Sequence, residues 1–247
     1  MAPSENMDPA QRRSALGRNL THGMLDAVGR TIVIGRYDDR TFPTEAELAR
    51  QHGVSRSVTR EAVKMLTAKG LLSARPRQGT MVQPTTSWNL FDPDVLRWLL
   101  ERSFSIELLR QFSQLRIAIE PAAAALAAQT ASEEDIARIS AGYARMVEAD
   151  RGADDHLKSD IAFHIAILQA SANPFYVQFR DVVATALQTS IRFTNRWKGH
   201  SASLPAHFAV LEAIVARSPE RAHAAMQAII AEVLVLIDKA EAEEAAA

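Results

Sequence analysis

A mainly α-helical chain is predicted, with three helices and a small β-hairpin in an N-terminal domain and an all-helical bundle behind it. Three observations predict this. Hydrophobic residues fill 47% of the 247 positions while aromatic residues fill only 6%, so the apolar content is aliphatic and suits helices packed on aliphatic seams better than a β-sandwich. Apolar residues recur at helical spacing over most of the chain. One short stretch near the N-terminus alternates around a Pro and Gly turn instead, the mark of a single hairpin.

The elements follow in order. Leu16, Leu20, Met24, Val28 and Ile32 recur at every fourth position in a first helix spanning Leu16 to Ile34, ended by Gly35 and the Asp38-Asp39 pair. In Pro43-Thr44-Glu45-Ala46-Glu47-Leu48-Ala49, Thr44 caps a second helix and Glu47, three residues on, completes a capping box. Gly53 stops that helix, and Ser55 caps a third that buries Val58, Ala62, Met65 and Leu66. Leu71 to Arg75 reads as a strand, Pro76 to Gly79 as a turn and Thr80 to Val82 as the return strand. Helix, short helix, Gly turn, helix and hairpin make a winged helix-turn-helix, placed at residues 11–83.

Residues 84–94, with Pro84, Thr85, Thr86, Ser87 and Pro93, are a linker leading to a helix capped at Asp92. From residue 95 to residue 240 the pattern is helical throughout, with starts at Ser105, Ser132, near Asp154, near Asn173, near Ser203 and at Ser218-Pro219-Glu220. That is a bundle of six or seven helices.

Composition narrows the function classes. There is no cysteine, which removes disulfides, zinc ribbons and thiolate catalysis and fits a reducing cytoplasm. No run approaches the roughly 20 apolar residues of a membrane span, and Met1 to Ala10 lacks the features of a signal peptide, so a soluble cytoplasmic protein is expected. Net charge is −1, but Gln11 to Val82 holds 13 Lys and Arg against 6 Asp and Glu. A basic first third on a near-neutral chain points to a module that binds a polyanion.

The third helix carries that chemistry. Arg56 and Arg60 lie four residues apart on one helix face, with Ser55, Ser57 and Thr59 as short donors around them. The start of a second helix in a helix-turn-helix meets base edges in the major groove, where Arg suits bidentate contact with guanine. Arg56 is the leading base reader. Arg75 and Arg77 beside Gly79 place charge on the wing, where a hairpin tip meets the DNA backbone or minor groove. Charge runs are commonly solvated faces, but this one sits inside a complete fold signature.

Three features mark the bundle. Arg116 shares a helix with Leu108, Phe112, Leu115 and Ile119 and faces inward, so either Glu120, one turn on, or an anionic ligand neutralises it. Asp160 and His164 are four apart beside Leu157, Phe163 and Ile167, and His207 shares a stripe with Val210, Leu211 and Ile214. Such groups bind a divalent metal, hold a hydroxy acid through hydrogen bonds, or satisfy one another in the core. They also admit a metal-dependent hydrolase built on Asp160, His164 and His207, although no nucleophile, base motif or phosphate loop accompanies them. An effector-free architectural DNA binder is the third class, and the inward charges argue against it.

The stretch Phe42 to Ala49, then Val54-Ser55-Arg56, Arg60-Glu61-Ala62, Lys69-Gly70-Leu71-Leu72 and Gly79-Thr80-Met81-Val82, resembles the DNA-binding domain of GntR-family regulators. Ala46 stands where that family often has an Arg, and Val58 where it often has a Pro. Arg116-x-x-x-Glu120-Pro121, Asp160-x-x-Phe163-His164, Asn173-Pro174 and His207 with Leu211-x-Ala213-Ile214 resemble the FCD effector domain of the FadR subfamily. The resemblance implies a homodimeric repressor that binds double-stranded operator DNA through Thr44, Ser55, Arg56, Ser57, Val58, Arg60, Arg75, Arg77 and Gly79. It further implies a carboxylate effector held by Arg116, Asp160, His164 and His207, with Arg192, Asn195 and Trp197 as further pocket candidates.

It also implies a divalent metal (Zn, Ni or Mn) on Asp160, His164 and His207. Ile229 occupies the position of the family's histidine on the last helix, and His223, six residues away, lies about a third of a turn off that face. A three-ligand site completed by water or effector and a metal-free pocket both stay open. The segment Trp88 to Trp98 is similar to that of regulators of sugar-acid catabolism, which points to an aldonate such as galactonate as effector.

Overall fold

The computed structural model describes residues 9–38, 41–75, 79–103, 105–197 and 202–246, with the side chains of 9–18, 75, 192, 194–197 and 244–246 outside the description. The chain divides into two compact units, residues 1–103 and 104–247.

The first unit holds α1 (Pro9–Val33), α2 (Glu45–His52), α3 (Arg56–Ala68), β1 (Leu72–Arg75), β2 (Gly79–Val82) and α4 (Pro93–Leu99). Local chemistry sets the boundaries. Thr44 and Glu47 form the reciprocal capping box at α2, and Gly53 ends it in the left-handed region at φ 62°, where a side chain would be strained. The strands pair antiparallel, from Leu72 opposite Val82 to Arg75 opposite Gly79.

Two helices keep most of the stripe their apolar spacing predicts, Met24, Val28 and Ile32 on α1 and Ala62 and Leu66 on α3, but each also buries a threonine outside it. In α3 the buried residues are Thr59, Ala62, Val63 and Leu66, while Val58 and Met65 are only half-buried. Thr59 can lie inside because its hydroxyl donates to the Ser55 carbonyl at 3.1 Å. In α1, Thr21 is buried and Leu20 is 46% exposed.

The segment expected as a linker is fastened to the first unit. Gln83 N–H donates to Leu71 O and Asn89 N–H to Lys69 O, both at 2.9 Å. Lys69 Nζ lies 2.8 Å from both Asp92 and Asp94. The spacing assigns α4 to the second domain, but α4 packs on α1 in the first. Trp98 is fully buried there and its indole N–H donates to Asp26 at 2.7 Å. Gly29 makes the space, since a Cβ at that position would sit 2.2 Å from the Trp98 ring.

The second unit is all-helical in its described residues: α5 (Ile106–Thr130), α6 (Glu133–Asp150), α7 (His156–Ala170), α8 (Pro174–Val177), α9 (Arg180–Trp197), α10 (Leu204–Val215) and α11 (Pro219–Ala246). Ser105, Ser132, Asp155 and Asn173 cap their helices with side-chain acceptors. The start near Asn173 opens two helices, the four-residue α8 and then α9.

On α5 the inward face runs Leu109, Phe112, Ser113, Arg116, Glu120, Ala123, Ala124 and Ala127, so Phe112 and Arg116 lie inside as predicted while Leu108, Leu115 and Ile119 are half-buried. Glu120 joins that face because it forms a mutually satisfied pair with Arg116. The main core joins α5, α6, α7, α10 and α11 through residues such as Ala124, Ile139, Phe163, Ile167, Val210, Ile214, Met226 and Ile230. Gly142 on α6 lets that helix approach α7, because a Cβ there would lie 2.9 Å from Phe163 Cα. Phe163 is thereby wedged beside two histidines, its ring centroid 5.8 Å from that of His164 and 5.3 Å from that of His207.

Candidate functional site

The start of α3 is exposed at Ser55, Arg56, Ser57 and Arg60. Ser55 is committed to its helix, accepting from Val58 N–H at 3.3 Å and lying 2.9 Å from the Ser57 hydroxyl. Arg60 leans on Glu45 at 3.5 Å, which ties α3 to α2 and leaves Arg56 as the more available guanidinium. Thr44 Oγ1 is occupied by the α2 capping box, and Val58 is half-buried. Gly79 opens β2 at φ 80°. Arg77 and the side chain of Arg75 lie outside the described residues.

The second unit encloses a cavity of about 490 Å³ whose wall brings together Arg116 from α5, Asp160 and His164 from α7, and His207 from α10. Its size falls in the roughly 300–1,000 Å³ range of small-molecule sites. All four residues are at least 96% buried, the least covered being Asp160 at 4% exposure. The side chains of Arg192, Asn195 and Trp197 lie outside the description.

Glu120, predicted only as a partner for Arg116, has two. It accepts from Arg116 Nε at 2.5 Å and from Arg116 Nη2 at 3.4 Å, and from His164 Nδ1 at 2.5 Å. The Glu120 pairing therefore exists, yet it uses only part of Arg116, because a guanidinium has five N–H donors. Neutralisation by Glu120 and a ligand on Arg116 are compatible.

The histidine tautomers follow from their partners. A carboxylate and a carbonyl only accept, so His164 Nδ1 carries a proton for Glu120, and His207 Nδ1 carries one for the Ser203 carbonyl at 2.8 Å. Both Nε2 atoms then face Asp160 Oδ1, at 3.5 Å from His164 and 3.1 Å from His207, and lie 3.4 Å from each other. Among the described residues Asp160 Oδ1 is the buried side-chain atom left without an aligned hydrogen bond.

Burial opposes ionisation of Glu120, but the charges of Arg116 and His164 outweigh it and hold the carboxyl down to about 2. Burial likewise works against a charged His164, and Glu120 with Asp160 overrides it, lifting the imidazole to about 9. Asp160 is held well below the usual carboxylate range despite its burial, by the two imidazoles facing it. Three acceptors converging without an aligned donor need a positive occupant, either a second proton on His164 or a cation.

The donor set fits a metal. Asp160, His164 and His207 offer ligand atoms that all lie within 4.8 Å of one another, and nitrogen and oxygen ligands of this kind suit Zn, Ni or Mn. Glu120 and the Ser203 carbonyl orient the rings from behind, as such sites require. Ile229 lines the same cavity, so no fourth ligand comes from that position.

Sequence reasoning missed the rest of the wall, chiefly Ser190 on α9 and Glu232, Val233 and Leu236 on α11. The positions 229, 232, 233 and 236 follow helical spacing, which is the signal that could have found them.

Comparison with known proteins places these features. Residues 30–82 match the gntR family of bacterial regulatory proteins and residues 111–232 match the FCD domain. The chain is 33% identical over 227 residues to the HTH-type transcriptional regulator YieP of Escherichia coli K12, covering 91% of this chain and 98% of that one. It is 32% identical over 218 residues to the galactonate operon transcriptional repressor of the same strain, covering 86% and 94%. A putative L-lactate dehydrogenase operon regulatory protein of that strain is 30% identical over 196 residues, covering 76% and 74%. Among solved structures, one described as Lar, which controls the expression of the Listeria monocytogenes agr system, superposes with a TM-score of 0.59 at 18% identity, covering 89% and 96%. The matched family and relatives are transcriptional regulators, not enzymes, which sets the hydrolase reading aside. No described helix is long and apolar enough to cross a membrane.

Proposed function

The chain belongs to the GntR family of bacterial regulatory proteins and carries an FCD domain, and on that premise we propose a homodimeric repressor released from its operator by a sugar acid. The observation that carries the reading is the buried guanidinium and Asp-His-His cluster on one cavity wall. Arg116 takes the effector carboxylate with the donors that Glu120 leaves, and Asp160, His164 and His207 meet its hydroxyls, with Arg192, Asn195 and Trp197 as further contacts.

Alternatively Asp160, His164 and His207 would hold a divalent metal, which would supply Lewis-acidic stabilisation of an anionic ligand. Similarity to a galactonate operon repressor and to a lactate dehydrogenase operon regulator supports a 2-hydroxy acid, and the greater coverage of the former favours an aldonate. On DNA, Arg56 reads a base. Ser55, Ser57, Val58, Arg60 and Thr44 fix the helix against the backbone, and Arg75, Arg77 and Gly79 bring the wing to it.

A thermal-shift screen of aldonates and uronates tests the effector reading. A saturating acid near 100 times its Kd contributes about 2.7 kcal/mol, a rise of several degrees. Arg116→Lys, which keeps a cation for Glu120 but loses the planar fork, is expected to abolish the rise, and EDTA to diminish it. If no acid raises the melting temperature, or the rise survives Arg116→Lys intact, the reading fails.

A further inference from the structure

This inference rests on the reading of the cavity as a sugar-acid site and concerns the end of the effector remote from Arg116. The cavity wall from α11 is apolar at Ile229, Val233 and Leu236, and among these stands one carboxylate, Glu232. Glu232 is exposed, whereas the floor groups Arg116, Asp160, His164 and His207 are buried, so its charge belongs to the open side. Among the described lining residues, Arg116 is the only Lys or Arg. Among the described lining residues the Glu232 carboxylate thus stands apart from the buried cluster of Arg116, Asp160, His164 and His207.

An ionised carboxylate is acceptor-only. It takes hydrogen bonds from hydroxyls and repels a second carboxylate brought close to it. We infer that Glu232 is a specificity-determining residue that admits monocarboxylic acids with a hydroxylated tail and rejects the dicarboxylic acids of the same carbon chain. Rejection of a competitor by a like charge is a common way to build selectivity without tighter binding of the correct ligand.

Galactonate and galactarate test this directly, because they share a skeleton and differ only in whether the far carbon is an alcohol or a carboxylate. Calorimetric titration of the full-length protein is expected to give galactonate a Kd at least about tenfold lower than galactarate, or about 1.4 kcal/mol. Glu232→Gln keeps the size and removes the charge, and the site is exposed, so the fold is retained. In that variant the ratio is expected to narrow to within about threefold through tighter galactarate binding, with galactonate little changed. Equal binding of the two acids by the unmodified protein, or an unchanged ratio in Glu232→Gln, overturns the role of Glu232 alone. Failure of both acids to bind removes the sugar-acid reading beneath it and this inference together.

Discussion

Replacing Glu120 by alanine is expected to destabilise the helical second unit by about 3–5 kcal/mol, the cost of breaking a buried ion pair from one side. Glu120 is 1% exposed and serves both Arg116 and His164. Its removal leaves a guanidinium and an imidazole buried without their shared acceptor, while Asp160 already faces both histidines. In a domain of this size the loss corresponds to roughly 6–20 °C in Tm. Glu120→Gln fills the same space without the charge, and the comparison separates lost packing from lost charge. Differential scanning calorimetry reads both. A melting temperature unchanged in Glu120→Ala would show that the Arg116 and His164 contacts contribute nothing net.

Arg56→Ala is expected to collapse operator discrimination while leaving the melting temperature unchanged. Arg56 is the first residue of α3 and is exposed, so truncation creates no cavity. A bidentate Arg-guanine contact carries about 1–3 kcal/mol of discrimination per half-site. On an operator selected from a randomised duplex library, affinity in the variant should fall toward that for unrelated duplex. Arg60→Ala should matter less, because Arg60 already leans on Glu45. Competition binding against unrelated duplex measures the ratio, and an undiminished preference in Arg56→Ala would assign the reading elsewhere.

Both predictions depend on features with unequal visibility in the sequence. Helix starts are legible because capping is local: Thr44 with Glu47, Ser55, Ser105 and Ser132 each act on amides within three residues of themselves. The hairpin is legible for the same reason. Which face a helix buries is less so, because tertiary partners decide it. Thr59 and Glu120 lie in the core because their polar atoms are satisfied, and spacing of apolar letters cannot register that. The place of α4 rests on Trp98 fitting under Gly29, a pairing between residues 69 positions apart that no local pattern announces.

In the site, Arg116, Asp160, His164 and His207 were legible as inward ionisable residues on apolar stripes. The second role of Glu120 was not, since His164 lies 44 residues away along the chain. Glu232 was not either, because an exposed glutamate on a long helix looks like any other solvated charge.

In the proposed function, occupation of the cavity around Arg116, Asp160, His164 and His207 sets the affinity of the helix led by Arg56 for DNA. Coupling of this kind requires the effector to favour one arrangement of the protein over the other, and typical couplings are about 1–3 kcal/mol. The most direct measurement is the Kd for the selected operator by fluorescence anisotropy, with and without a saturating concentration of the acid that raises the melting temperature most. A Kd at least about tenfold higher is expected with the acid present. An unchanged Kd, with the same acid shown by calorimetry to occupy the protein, would contradict it.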